Sequence, residues 1–166
     1  MGFTHYWNGD TLCPTATWDQ VRADLLKVMG EAGIPLAGGH GTGLPVIMGK
    51  VICFNGVEEN SHETFNVLRG MEDAQDFCKT ARKPYDIVVC AALIILKHHI
   101  PKFKVSSDGD ESDWQPAIDL CRRTLNYGVY PCKDEKELPP VPTTPVAPEF
   151  EFKRMIPEGL KSPKEK

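Results

Sequence analysis

The chain has 166 residues, 41% of them hydrophobic and 25% charged, with a formal net charge of −4. That length suits one domain with an appendage better than two domains, and such a domain buries a core without disulfide or metal staples. The charge is too small for an acidic DNA mimic and has the wrong sign for a generic nucleic-acid binder, although a local basic patch can outweigh the total.

The first helix is expected from about Trp18 to Glu31. Thr17 and Gln20 read as a T-x-x-Q capping box, and Val21, Leu25, Val28, Met29 and Ala32 fall on one face. Gly30 and Gly33 supply the stop. A glycine-rich loop, Gly38 to Gly43, leads into the run 46–54, which reads as a strand buried on both faces. Asn55-Gly56 breaks that run. The residues after it are too polar for an immediate return, so the reading is a wide turn with a return strand near Thr64 to Leu68. Residues 69–76 read as a polar loop and Phe77 to Thr80 as a short strand.

The segment from Pro84 to His99 is the most helical. Its middle, IVVCAALIIL, is apolar on all sides, which marks a central core helix. Asp86 at its start and Lys97, His98 and His99 at its end complement the helix dipole. Phe103 to Ser106 reads as a strand, and a last helix is expected from about Asp113 to Asn126. The fold class is therefore α+β: a small mixed or antiparallel sheet on a buried helix (84–99), with amphipathic helices at 18–31 and 113–126. Residues 1–130 form the domain. Residues 131–166 contain repeated prolines and read as an extended, flexible tail with an apolar patch at Phe150, Phe152, Met155 and Ile156.

Six cysteines (Cys13, Cys53, Cys78, Cys90, Cys121 and Cys132) form no C-x-x-C pair, and several sit in apolar runs. No basic-then-apolar leader opens the chain, so a reduced cytoplasmic setting is expected. Ile87 to Leu96 is too short for a bilayer span of about 20 residues, so no membrane role is expected.

Two segments suit an anion. Lys79, Thr80, Arg82, Lys83 and Tyr85 stand ahead of the core helix, whose first-turn N–H groups point outward. The bland alternative is solvated cations and a capping Asp86. Gly41, Thr42 and Gly43 belong to the glycine loop, but the order helix, loop, strand is the reverse of known phosphate loops, so a plain connector competes. The acidic run Asp108, Asp110, Glu111, Asp113 fails the calcium-loop template and reads as a helix start. The histidines His5, His40, His62, His98 and His99 show no metal-ligand spacing, so no metal site is read. A Cys–His nucleophile needs geometry that a sequence does not give. Phe3, Tyr6, Trp7 and Trp18 suit base stacking but read as core. Catalytic residues and cofactors are left unassigned, as is the oligomeric state.

The stretches FCKTARKPYDIVVCAALIILKHHI and VSSDGDESDWQPAIDLCRRTLNYG, with GTGLPVIMGKVICFNG and SHETF, resemble an uncharacterised family of short proteins carried by bacteriophages and prophages. The resemblance covers about residues 5–128. It implies a phage accessory protein in the bacterial host cytoplasm and brings no reaction. The leading expectation is a non-enzymatic binder of a host protein or a small anionic or nucleotide ligand. One alternative is a small enzyme on a phosphorylated substrate, with Arg82 and Lys83 holding the anion and His40 or His62 as general acid or base. The other is an assembly protein using its tail as an arm.

Overall fold

The central feature is a helix with no polar face. In the computed structural model, which describes residues 2–132, α2 (Asp86–His99) buries every residue from Val88 to Leu96. Two longer helices, α1 (Thr15–Ala32) and α3 (Glu111–Leu125), pack on it and on each other. The strands cover the rest. β1 (Thr4–Gly9) lies between β6 (Ala74–Lys79) and β7 (Lys104–Ser107) in a three-stranded antiparallel sheet. β4 (Val51–Gly56) pairs with β2 (Leu36–Ala37) and β3 (Val46–Met48), and with β5 (Phe65–Leu68), in a second antiparallel sheet. The α+β expectation holds, with the strands divided between two sheets. Among the described residues no helix is long and apolar enough to cross a membrane.

The sheets meet through aromatic side chains. Trp7 of β1 lies 5.1 Å from Phe65 of β5, which lies 5.0 Å from Phe54 of β4, ring centroid to centroid. Buried polar contacts fix the connections. The Trp18 indole N–H donates to the Gly49 carbonyl at 2.9 Å, tying α1 to the β3–β4 turn. Arg69 donates twice to the Cys13 carbonyl, at 3.1 and 2.8 Å, tying the β5–β6 turn to the start of α1.

Several boundaries differ from the sequence reading, each for a local reason. Helix α1 begins at Thr15, so Thr17 is inside it and caps nothing, while Gln20 donates to Asp24 at 2.8 Å. Gly33, at φ 64°, ends it as expected. The run 46–54 is a hairpin, not one strand. Gly49 supplies the positive φ (54°) of a two-residue turn, so Met48 pairs with Val51. The expected wide turn after β4 is present and is held by buried Asn55. Its amide donates to the His62 carbonyl at 2.9 Å, and its oxygen accepts from the His62 N–H at 3.1 Å. Asn55 and Gly56 themselves belong to β4, so the chain turns only after them. Helix α3 starts at Glu111 behind a capping box of Asp110 and Asp113. β1 was not expected at all, and β6 starts three residues earlier than the expected strand. The expected proline-rich tail, 131–166, lies outside the described residues except for Pro131 and Cys132.

Because α2 is enclosed, truncating it leaves a void that its neighbours cannot fill. Leu93→Ala (0% exposed) should lower unfolding free energy by about 2–5 kcal/mol. Leu26→Ala, at a 52% exposed position of α1, should change it by less than about 0.5 kcal/mol. Urea denaturation of both variants checks this; equal losses would mean that α2 is not the core.

Candidate functional site

The sequence places its first anion candidate at the start of α2, and the structure shows how those residues are used. Thr80 and Tyr85 are fully buried. The Thr80 hydroxyl donates to Asp86 Oδ1, and the Tyr85 hydroxyl donates to the Glu63 carbonyl at 2.7 Å. Arg82 is exposed, stacks over Phe3 at 3.9 Å and pairs with Asp113 at 2.8 Å. Lys83 donates to the Glu59 carbonyl at 2.8 Å. Lys79 sits on β6 opposite Thr4. Gly41 is buried at φ 76°, where a Cβ would come within 2.7 Å of Ser61, while Thr42 and Gly43 are exposed. Both candidate segments therefore pack on residues 56–61, Gly41 against Ser61 and Tyr85 against Gly56. The Asp86 carboxylate, in the first turn of α2, is taken up by the protein's own Thr80 and His5.

That carboxylate belongs to a buried polar cluster. His5, on the inner face of β1, is fully buried. Its Nε2 lies 2.8 Å from Asp86 Oδ1 and 3.5 Å from Cys90 Sγ, and its Nδ1 lies 2.8 Å from Ser107 Oγ. Asp86 and Cys90 are four residues apart, so both project from one face of α2 toward the strand. This is not the geometry of a nucleophilic triad, in which the carboxylate and the thiol engage opposite ring nitrogens. Here both face Nε2. Burial also pushes the Cys90 thiol well above its ordinary range, with the Asp86 charge adding to it.

A second cluster joins α1, the end of α2 and the segment that follows α3. Asp24 of α1 is 4% exposed and accepts from three groups: the Tyr127 hydroxyl (2.7 Å), His99 Nε2 (2.7 Å) and the Gln20 amide (2.8 Å). The His98 ring stacks on Tyr127 at 3.7 Å. Burial opposes the charge of Asp24, yet the three hydrogen bonds and the His99 charge together hold its carboxyl below the usual value. The histidine pair at the end of α2 is thus a packing device, with its two rings turned 87° to each other.

The outer face of the three-stranded sheet is different, because it is open. Side chains alternate along β1, so His5 and Trp7 point inward while Tyr6 and Asn8 face out. Register places Tyr6 between Phe77 of β6 and Ser106 of β7, and Asn8 between Gln75 and Lys104. Tyr6 is 42% exposed, Phe77 is 52% exposed, and their rings are 6.3 Å apart. Lys79 lies at one corner of this face and Lys104 at the diagonal corner. A shallow groove of about 700 Å³ runs over Tyr6, Phe77 and Lys104.

His40 and His62 are exposed. In the acidic loop, the Asp110 carboxylate accepts from the Ser112 and Asp113 N–H groups, as a helix cap does. The sequence reading did not single out Phe77, Lys104 or the His5–Asp86–Cys90 cluster. The β-prone residues Thr4, Tyr6 and Trp7 are the only local signal for β1, and strand alternation then separates Tyr6 from Trp7. No protein-family model, curated protein or solved structure matches the chain.

The Asp24 cluster predicts a pH dependence. A carboxyl depressed in the folded state contributes stability above its ordinary value of 3.8. That contribution is lost as pH falls through the lower folded value. Asp24→Asn should therefore be less stable than the parent at pH 6, with the gap narrowing below about pH 4. Thermal melts from pH 6 to pH 2.5 check this, and a gap that grows toward acid would contradict it.

Proposed function

We propose that the chain is a non-enzymatic binding protein that takes short single-stranded nucleic acid on the open face of the β6–β1–β7 sheet. The observation that carries this reading is the adjacent, half-exposed Tyr6–Phe77 pair on a sheet whose other face is packed into the core. Aromatic rings on a rigid strand surface are stacking platforms for bases, and every base offers a π-face. Strand spacing and rise put Lys79 and Lys104 about 17 Å apart across that pair, a span suited to the phosphates that flank stacked bases. Asn8, Gln75 and Ser106 add hydrogen-bonding groups between them.

The net charge of −4 works against long-range attraction, so stacking has to supply most of the affinity. This reading keeps the expectation of an anionic, nucleotide-like ligand and moves it from the α2 start to the sheet, with Lys79 common to both. It departs from the expectation of no generic nucleic-acid binding, because a local aromatic and cationic face rather than the total charge is in play. The enzyme alternative finds less support, since Arg82 is paired with Asp113 and Lys83 with a carbonyl.

Fluorescence anisotropy with labelled oligo-dT and oligo-U is the test. Tyr6→Ala and Phe77→Ala should each weaken binding by about 1–3 kcal/mol, roughly 5- to 150-fold. With two phosphate contacts, log affinity should fall against log salt with a slope of about −1.4, and Lys104→Ala should roughly halve that slope. No binding by the parent chain, or parental affinity in both aromatic variants, would refute the proposal.

A further inference from the structure

Behind the proposed binding face, His5, Asp86 and Cys90 bring a nitrogen, an oxygen and a sulfur within 4.8 Å of one another. We propose that these three side chains form a binding site for a borderline divalent transition-metal cation of the Zn²⁺ class.

Ligand spacing is the first argument. Bonds of about 2.0 Å to nitrogen and oxygen and about 2.3 Å to sulfur set tetrahedral edges of about 3.3 Å between N and O and about 3.5 Å to S. The corresponding separations are 2.8 Å from His5 Nε2 to Asp86 Oδ1 and 3.5 Å from Nε2 to Cys90 Sγ, while Sγ lies 3.8 Å from the other carboxylate oxygen, Asp86 Oδ2. Opening the His5–Asp86 hydrogen bond and turning the carboxylate so that one oxygen faces both Nε2 and Sγ converts the hydrogen-bonded cluster into a ligand set. Mixed N, O and S donors in one tetrahedral face favour zinc over magnesium or calcium, which take oxygen alone.

The surroundings supply the second argument. Outer partners already orient the ligands: Ser107 Oγ holds His5 Nδ1 at 2.8 Å, and the Thr80 hydroxyl holds Asp86 Oδ1. Ser107 Oγ is itself fixed by the Gly109 N–H at 3.0 Å. Charge is the third. A divalent cation bound to neutral His5, the Asp86 carboxylate and the Cys90 thiolate sums to zero, the arrangement that a buried position tolerates best. On binding, the Cys90 proton leaves to solvent and the sulfur lone pair forms the new bond. Without metal, the hydrogen bond to Asp86 places the proton of His5 on Nε2. With metal, Nε2 gives its lone pair and the proton moves to Nδ1, donating to Ser107. The side chain of Asp86 is 19% exposed, which leaves one side of the site for ion entry and for a fourth, water ligand.

The test is titration of the reduced full chain with Co²⁺ and Zn²⁺, with refolding in metal as a second route into the site. One equivalent of Co²⁺ should give tetrahedral d–d absorption and a thiolate-to-cobalt charge-transfer band, and Zn²⁺ should abolish both. Nitrogen-15 spectra of the Zn²⁺ form should show the His5 proton on Nδ1. Cys90→Ala, checked for folding by circular dichroism, should lose the charge-transfer band, and His5→Gln should lose metal stoichiometry. Absence of the band by both routes would overturn the proposal. So would a band that survives in folded Cys90→Ala, because the metal would then sit on another of the six cysteines.

Discussion

A helix apolar around its whole circumference has to be wrapped, and that requirement organises this protein. From Val88 to Leu96 no side chain of α2 faces water. Helices α1 and α3 cover part of the helix and the strands cover the remainder, which is why two small sheets are used in place of a one-sided layer. Apart from the Cys90 thiol, polar groups are confined to the ends of α2, and both ends are paired. Asp86 meets His5 and Thr80 at the start, and His99 meets Asp24 at the finish. Each contact joins α2 to a different neighbour, so the polar pairs fix where the greasy rod sits along its axis while hydrophobic burial supplies the driving force.

β1 carries the consequence outward. One face of this six-residue strand gives His5 to the buried cluster and Trp7 to the aromatic bridge between the sheets. The other face gives Tyr6 to the solvent side. With a side-chain period of two, a register slip by one residue would bury Tyr6 and expel His5, so the inner cluster and the outer face are specified together. The proposed ligand face and the proposed metal site are two sides of one strand, resting on separate observations.

Much of the framework is legible in the chain. The continuous run Ile87–Leu96 announces a buried helix, Val21, Leu25, Val28, Met29 and Ala32 announce an amphipathic one, and the return strand after the turn at 57–63 follows from composition. Local turn chemistry is harder to read. Gly49-Lys50 lies inside an apolar run, and its hairpin is set by a glycine φ that hydrophobicity does not encode. β1 escapes because its residues are few, aromatic and at the edge of the sequence, where a lid over the core reads equally well. The site residues were the least legible. Thr80, Arg82 and Lys83 have the right chemistry for an anion, but what they contact is decided by Asp86, Asp113 and Glu59, brought in by tertiary structure. His5 and Cys90 are 85 residues apart, so no local spacing rule connects them.

Native-state hydrogen exchange as a function of denaturant tests the central role of α2 most directly. The amides of Val88 to Leu96 should exchange only through global unfolding, with a denaturant dependence equal to that of the whole domain. Exchange of those amides through small, denaturant-independent openings, while α1 and α3 stay protected, would show that the fold is organised around something else.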